Sequence, residues 1–163
     1  MCGIFALINN NNSKETIEKE FKKGENRGPE FSILKDYDNV LFGFHRLAIN
    51  GLNDESNQPI VIDNIILICN GEIYNYKQLA KDHNILMKTQ SDCEIIIHMY
   101  KLYGIEYTLN ILDGVFAFII YDKNTNNIIT ARDPYGVRPL YYYSEKNVLG
   151  YASELKEIYN LVV

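Results

Sequence analysis

Apolar residues fall into short runs of branched and aromatic side chains, and turns rich in Asn, Gly and Asp separate these runs. Runs of this length between turn residues predict β-strands. The first strand is predicted at residues 2–8, where a run of four Asn at 9–12 ends it. Further strands are predicted at 40–49, 60–69, 114–121, 127–131, 139–143 and 148–152.

Other segments have the apolar spacing of helices. One helix is predicted at about 13–23 and another at about 73–83. A third begins at a predicted capping box of Ser91 and Glu94. Its buried face is predicted to carry Ile95, Ile96, Met99 and Leu102. Strands, then helices, then strands predict an α+β fold or a layered αββα pattern, and neither a Rossmann alternation nor a phosphate-binding loop occurs.

Composition restricts the classes of function. The chain has 163 residues and a net charge of −5, with 47% hydrophobic and 23% charged residues. This length predicts one domain with a sizeable core. The acidic balance argues against a nucleic-acid partner, because nucleic-acid modules carry clustered Lys and Arg. Since no apolar run approaches the roughly 20 residues that cross a bilayer, we also expect no membrane partner.

The N-terminus and the cysteines predict the compartment. Residues 1–8 have no basic segment before their apolar run, so they do not form a signal peptide. Cys2, Cys69 and Cys93 are odd in number, and no two of them have the CxxC spacing of a zinc site. We therefore expect reduced thiols, a cytoplasmic location and no metal.

Cys2 is a candidate nucleophile. Methionine aminopeptidases remove Met1 when the next side chain is small, so the mature chain would begin with a thiol beside a free α-amine. That amine has an unperturbed pKa of about 7.7–8.0 and is partly unprotonated near neutral pH. Cys2 would then supply both the nucleophile and, through a water, its general base. The alternative is an ordinary buried cysteine in a strand, which is the commoner role.

Three polar segments could serve such a nucleophile, and each has a structural alternative. Asn70 and Gly71 follow an apolar strand, where they form either a hairpin turn or an oxyanion hole. Arg46 lies in an apolar strand and needs an acidic partner, which is either a protein group or a ligand carboxylate. Asp92 opens a helix, where a carboxylate also favours the helix dipole.

The order of these segments resembles that of one family. The motifs that carry the resemblance are Cys2-Gly3-Ile4, Arg27-Gly28-Pro29, His45-Arg46-Leu47, Asn70-Gly71-Glu72-Ile73-Tyr74-Asn75, Ser91-Asp92-x-Glu94, Leu112-Asp113-Gly114-x-Phe116-Ala117-Phe118 and Arg132-Asp133-x-x-Gly136-x-Arg138-Pro139-Leu140-Tyr141. Together they resemble the glutaminase domain of the asparagine synthetases, which are class II glutamine amidotransferases. Other class II amidotransferases share the Cys-Gly-Ile start, but the His-Arg-Leu and Asn-Gly-Glu-Ile-Tyr-Asn segments favour the asparagine synthetase branch.

The resemblance implies a four-layer αββα sandwich of the N-terminal nucleophile hydrolase type. It implies a glutaminase domain at 2–155, with residues 156–163 as a C-terminal extension or the start of a linker. Cys2 would attack the side-chain amide of L-glutamine, release ammonia and leave a glutamyl thioester that water hydrolyses to glutamate.

The resemblance also implies roles for the other matched residues. Asn70 and Gly71 would stabilise the oxyanion. Arg46 would bind the α-carboxylate of glutamine, while Glu72 and Asp92 would hold its α-ammonium group. A pocket selective for an amino acid needs a cation and an anion on opposite sides, because an analogue that lacks one charge leaves a protein charge unpaired.

The chain departs from the family pattern in two places. Asn26 stands where the family has His, although the following Arg27-Gly28-Pro29 matches, so we expect the loop to be retained. The family also continues into a domain that activates aspartate with ATP on a Ser-Gly-Gly-x-Asp loop, and no Ser-Gly-Gly occurs here. ATP and Mg would belong to that synthetase domain, which is an expected partner in a longer chain or in trans. The glutaminase reaction itself is expected to need no cofactor.

Two alternatives keep the same fold. The first is a non-catalytic module that senses glutamine or mediates an interaction, and the second is the glutaminase part of another class II amidotransferase. The matched nucleophile favours an enzyme, because a binding module needs no cysteine at a processed terminus. A mature protein that retains Met1 would favour the module.

Overall fold

The computed structural model describes residues 1–47 and 56–161. In chain order its strands and α-helices are β1 (Gly3–Ile8), α1 (Lys14–Lys22), β2 (Phe31–Tyr37), β3 (Val40–Arg46), β4 (Ile60–Ile62), β5 (Ile65–Ile73), α2 (Tyr76–Asp82), α3 (Glu94–Ile111), β6 (Gly114–Asp122), β7 (Asn127–Arg132), β8 (Tyr141–Glu145) and β9 (Val148–Ala152). Short 3₁₀ turns lie at Glu25–Arg27, Leu155–Glu157 and Tyr159–Leu161.

The strands form two antiparallel sheets. The first sheet has the order β2-β3-β1-β9-β8 and the second the order β4-β5-β6-β7. Strand β1 pairs with β3 on one side and β9 on the other, so the residue after Cys2 enters the middle of the first sheet. Strand β5 pairs with β6 along its whole length, from Ile65 opposite Asp122 to Ile73 opposite Gly114. Strands β1 and β5 are therefore both interior strands.

Three apolar clusters hold the layers together. One lies between the two sheets, a second between the β5–β6 face and the helices α2 and α3, and a third between the β1 face and α1. Alternate residues of β1 enter different clusters, as the strand pleat requires: Ile4 and Ala6 face the second sheet, while Phe5 and Leu7 face α1. This arrangement confirms the predicted four-layer αββα sandwich.

The first helix follows its sequence signals closely. Ser13 caps α1, and its side-chain oxygen accepts the N–H of Thr16 at 3.2 Å. Ile17 and Phe21 are buried against the first sheet. The C-terminal turns pack on the same layer, because Ile158 and Leu161 belong to that cluster. The predicted domain boundary at 155 stays a prediction.

The prediction was wrong around residues 60–83. Asp63 and Asn64, with φ of 48° and 64°, form a turn that divides the predicted strand 60–69 into β4 and β5. Strand β5 then continues to Ile73, so Asn70-Gly71 lies inside a strand and the next helix begins at Tyr76 instead of 73. Pairing with β6 on one side overrides the local turn preference of Asn-Gly.

The start and the buried face of α3 also differ from the prediction. Ser91 and Glu94 do not form a capping box; the Glu94 carboxylate accepts the backbone N–H of Lys88 at 2.7 Å and of Thr89 at 2.6 Å. The preceding loop thus folds back over the helix terminus. Leu102, predicted to be buried, is 55% exposed, whereas Ile95, Ile96 and Met99 are buried as predicted.

Strand β2 has no counterpart among the predicted strands. It pairs with β3 from Phe31 opposite Arg46 to Tyr37 opposite Val40, and its side chains are only partly buried. The predicted strand 40–49 ends at Arg46, and its last two residues lie outside the described residues. Strand β8 begins at Tyr141, two residues later than predicted. Across 1–47 and 56–161, no helix combines the length and the apolar character needed to span a bilayer.

Candidate active site

One pocket brings together every site residue predicted from the sequence. Its walls include Cys2, Arg46, Asn70, Gly71, Glu72 and Asp92. These side chains come from the residue before β1, the end of β3, the C-terminal part of β5 and the turn before α3. The fold therefore assembles in one place residues that are up to 90 positions apart in the chain.

Cys2 immediately precedes β1 and is partly exposed. Its Sγ is 3.4 Å from the carbonyl oxygen of Leu47, which accepts the thiol hydrogen bond. Burial raises the pKa of the Cys2 thiol, and the Leu47 contact and the positive N-terminus offset this only in part. Met1 precedes it on the pocket wall, where its sulfur contacts the Arg138 guanidinium.

Arg27 holds the backbone of Cys2 by a hydrogen bond. Its Nε donates to the carbonyl oxygen of Cys2 at 3.0 Å, and its Nη1 donates to Glu154 Oε1 at 3.4 Å. Its Nη2 donates to the side-chain oxygen of Asn70 at 3.3 Å, in the amide orientation that satisfies both neighbours of Asn70. Sequence reasoning gave Arg27 no role in the site, although its loop motif was among those that matched the family.

Asn70 and Gly71 line the pocket from the C-terminal part of β5. Asn70 is 2% exposed, and its side-chain nitrogen donates to the Cys2 carbonyl oxygen at 3.2 Å. An amide nitrogen carries two hydrogens, so one donor remains for a ligand. A Cβ on Gly71 would lie 2.4 Å from the carbonyl oxygen of Val115, so only glycine lets β6 approach this closely.

Arg46 ends β3 and is 7% exposed. Its Nη1 donates to Asn57 Oδ1 at 2.6 Å. The loop before β2 clamps its backbone, because the N–H of Glu30 donates to the Arg46 carbonyl at 3.2 Å. A Cβ on Gly28 would lie 2.4 Å from the Arg46 backbone nitrogen, which explains why this loop needs glycine at its closest approach.

Two carboxylates complete the walls. Asp92 is 5% exposed, and its Oδ2 accepts the backbone N–H of Ile73 at 2.6 Å, which fixes the carboxylate beside the end of β5. Glu72 precedes Ile73 on that strand and is partly buried. The pocket thus combines two guanidinium groups, those of Arg46 and Arg138, with two carboxylates around the Cys2 thiol. Within the described ranges, no group of three or more His, Cys, Asp or Glu side chains is placed to hold a metal ion.

The fold and the pocket define a class of protein: an αββα sandwich whose second residue presents a thiol to a site with charges of both signs. A family model for the glutamine amidotransferase domain matches residues 1–162. The chain belongs to this glutamine amidotransferase domain family, which confirms the resemblance drawn from the motifs.

Curated relatives match almost the whole chain. A probable glutamine-hydrolyzing asparagine synthetase of Acanthamoeba polyphaga mimivirus is 42% identical over 172 residues, which cover 99% of this chain and 31% of that protein. The glutamine-hydrolyzing asparagine synthetase of Gallus gallus is 40% identical over 170 residues, which cover 99% of this chain and 30% of that protein. The chain therefore spans about 30% of the length of these relatives.

A solved structure shows the same fold. The glutamine phosphoribosylpyrophosphate amidotransferase of B. subtilis superposes with a TM-score of 0.80 at 22% sequence identity. The match covers 98% of this chain and 43% of that one.

Proposed function

We propose that this chain hydrolyses the side-chain amide of L-glutamine to glutamate and ammonia, with Cys2 as the nucleophile once Met1 has been removed. The observation that supports the proposal most strongly is the convergence of Cys2, Arg46, Asn70 and Asp92 on one pocket. A thiol beside groups of both charges suits a zwitterionic amino acid whose side chain carries the reacting amide.

The reaction has two steps. The α-amine of the processed Cys2 takes the thiol proton through a water, and the sulfur attacks the amide carbon of the substrate. The carbon–nitrogen bond breaks, the nitrogen leaves as ammonia with the transferred proton, and a glutamyl thioester remains. Water then attacks the thioester, the carbon–sulfur bond breaks, and glutamate leaves as the thiol is restored. Asn70 and the N–H of Gly71 donate to the oxyanion in both steps.

Charge pairing selects the substrate. The Arg46 guanidinium binds the α-carboxylate, and Asp92 and Glu72 bind the α-ammonium group. Arg46 and Asp92 are both buried, at 7% and 5% exposed, so an analogue that lacks either charge forms one ion pair fewer in a poorly solvated site. We expect such analogues to bind weakly.

The relatives suggest the use of the ammonia. Because the chain spans about 30% of glutamine-hydrolyzing asparagine synthetases, we propose that it supplies ammonia for asparagine synthesis from aspartate. A synthetase domain in a longer chain or in trans would hold ATP and Mg and receive the ammonia.

The proposal is tested by measuring glutamate and ammonia release from L-glutamine. The protein is first shown by mass spectrometry to begin at Cys2, and a Cys2→Ala variant is run beside it. We expect turnover in the first and none in the second. Saturable glutamine binding without turnover by the processed protein would support the sensing module instead, and turnover in Cys2→Ala would exclude the proposed nucleophile.

A further inference from the structure

A buried carboxyl group lies behind the nucleophile and has no role in the reaction described above. Glu157, in the 3₁₀ turn Leu155–Glu157, is 0% exposed. Its Oε2 accepts the backbone N–H of Glu154 at 3.1 Å, whereas its Oε1 has no hydrogen-bond partner among the described residues. That Oε1 lies 3.9 Å from His45 Nε2, and a Cβ on Gly24 would meet it at 2.2 Å. Glycine at 24 therefore makes room for this carboxyl group.

The surroundings keep Glu157 neutral. Burial raises the pKa of Glu157 to about 8 and outweighs the hydrogen bond from the Glu154 backbone, which lowers it; the Glu154 carboxylate raises this pKa further, and the charges of Arg27 and Lys156 lower it. His45 supplies no positive charge, because burial lowers its pKa. Its Nε2 donates to the Phe21 carbonyl at 2.9 Å, and its Nδ1 accepts from the Ser32 hydroxyl at 2.6 Å.

The other ionisable groups in this region are already paired. Arg27 and Lys156 both pair with Glu154, and Glu20 of α1 pairs with Lys23 and accepts from Asn160. Glu25 acts on His45 through its charge. No cation is therefore bonded to Glu157 within the part of the chain that the structure describes.

Two series of contacts link Glu157 to the backbone around Cys2. The first runs from Glu157 to the Glu154 backbone, from the Glu154 carboxylate to Arg27, and from Arg27 to the Cys2 carbonyl. Arg27 also donates to Asn70. The second runs through His45, which lies opposite Gly3 in the β1–β3 register; a Cβ on Gly3 would be 3.3 Å from the His45 ring.

We infer that Glu157 is a positioning residue for Cys2: in its protonated form it supports the Glu154–Arg27 pair that holds the Cys2 carbonyl and the Asn70 amide, and its ionisation withdraws that support. A second carboxylate beside Glu154 repels it and competes for Arg27, the cation that binds Cys2 and Asn70. The inference rests on the proposed role of Cys2 as nucleophile.

The pH profile of glutaminase activity tests this inference. Activity rises with pH as the α-amine of Cys2 loses its proton. It falls again as Glu157 ionises, by about tenfold per pH unit above its pKa. Glu157→Gln cannot ionise, so the variant keeps the acid limb of the kcat/KM profile and loses the alkaline limb. Glu20→Gln, a second buried glutamate without contact to Arg27, is the control and keeps both limbs.

A second readout does not depend on turnover. The side-chain amide resonances of Asn70 are followed by NMR across the same pH range in wild type and Glu157→Gln. We expect a titration in wild type that is absent from the variant, even in protein that shows no glutaminase activity. An alkaline limb of equal size in Glu157→Gln, or an Asn70 titration that persists in it, overturns the inference. If wild-type protein shows no glutaminase activity at any pH, but its Asn70 amide titrates and that of Glu157→Gln does not, the result counts against the proposed function and not against this inference.

Discussion

The carboxylate of Glu94 makes the stability of the fold depend on pH. It is 0% exposed and accepts the N–H groups of Lys88 and Thr89, so it ties the loop before α3 to the helix. His98 adds a contact of 2.9 Å to the same carboxylate. The loop leads directly to Asp92 in the pocket, so this carboxylate also orders one wall of the site. Glu94→Gln removes the charge and keeps the shape of the side chain.

The magnitude follows from the pKa of Glu94. Burial acts to raise it, but the hydrogen bonds from His98, Thr89 and Lys88 outweigh burial and lower it from 4.5 to about 2. Because the folded-state pKa lies below the unfolded value, the carboxylate stabilises the fold above about pH 4.5. That contribution is lost as pH falls towards 2. A difference of this size corresponds to about 3 kcal/mol of unfolding free energy.

Urea unfolding followed by circular dichroism measures the effect between pH 3 and 7. We expect Glu94→Gln to lower the unfolding free energy by about 2–3 kcal/mol at pH 7. Below pH 4.5 the difference in unfolding free energy between wild type and variant should narrow, because wild type loses the contribution of the carboxylate. Glu106→Gln, an exposed glutamate on the same helix, is the control and should follow wild type. A gap that is independent of pH would refute the reasoning, because the loss would then come from shape and not from charge.

Three further substitutions probe the pocket by steady-state glutaminase kinetics. Arg46→Lys keeps the charge but loses the guanidinium fork, so KM for glutamine should rise about 10–100-fold with a smaller change in kcat; an unchanged KM contradicts carboxylate binding. Asn70→Ala should lower kcat by about 10²–10³-fold, and a change confined to KM speaks against an oxyanion role. Gly28→Ala places a Cβ 2.4 Å from the Arg46 backbone, so KM should rise and Tm should fall; wild-type values for both would contradict the close packing of that loop.

Much of the layered fold follows from local patterns in the sequence. Buried strands such as β1 and the amphipathic helix α1 have apolar spacing and caps that suffice to place them. The edge strand β2 was missed because only some of its side chains are buried, so its alternation is weak. Leu102 was misplaced because helical periodicity gives the direction of a side chain but not where the covering layer ends, and α3 is exposed from Lys101 to Tyr103.

The candidate site likewise has a part that the sequence predicts and a part that it does not. Its charged and nucleophilic residues follow from motifs, whereas their support depends on contacts between distant segments. Asn70-Gly71 has the local signature of a turn, and only pairing with β6 makes it a strand. Arg27 gains its role from three partners at positions 2, 70 and 154. Glu157 resembles an ordinary polar residue of a C-terminal turn until the fold buries it against His45.

The central claim is that Cys2 carries the glutamyl group during the reaction. Processed protein is mixed with L-glutamine, quenched in acid within the first turnover and examined by intact-mass and peptide mass spectrometry. We predict one added glutamyl group, located on Cys2 and released by hydroxylamine as expected for a thioester. Glutamate that forms with no adduct on Cys2, or an adduct located on another residue, would contradict the proposed mechanism.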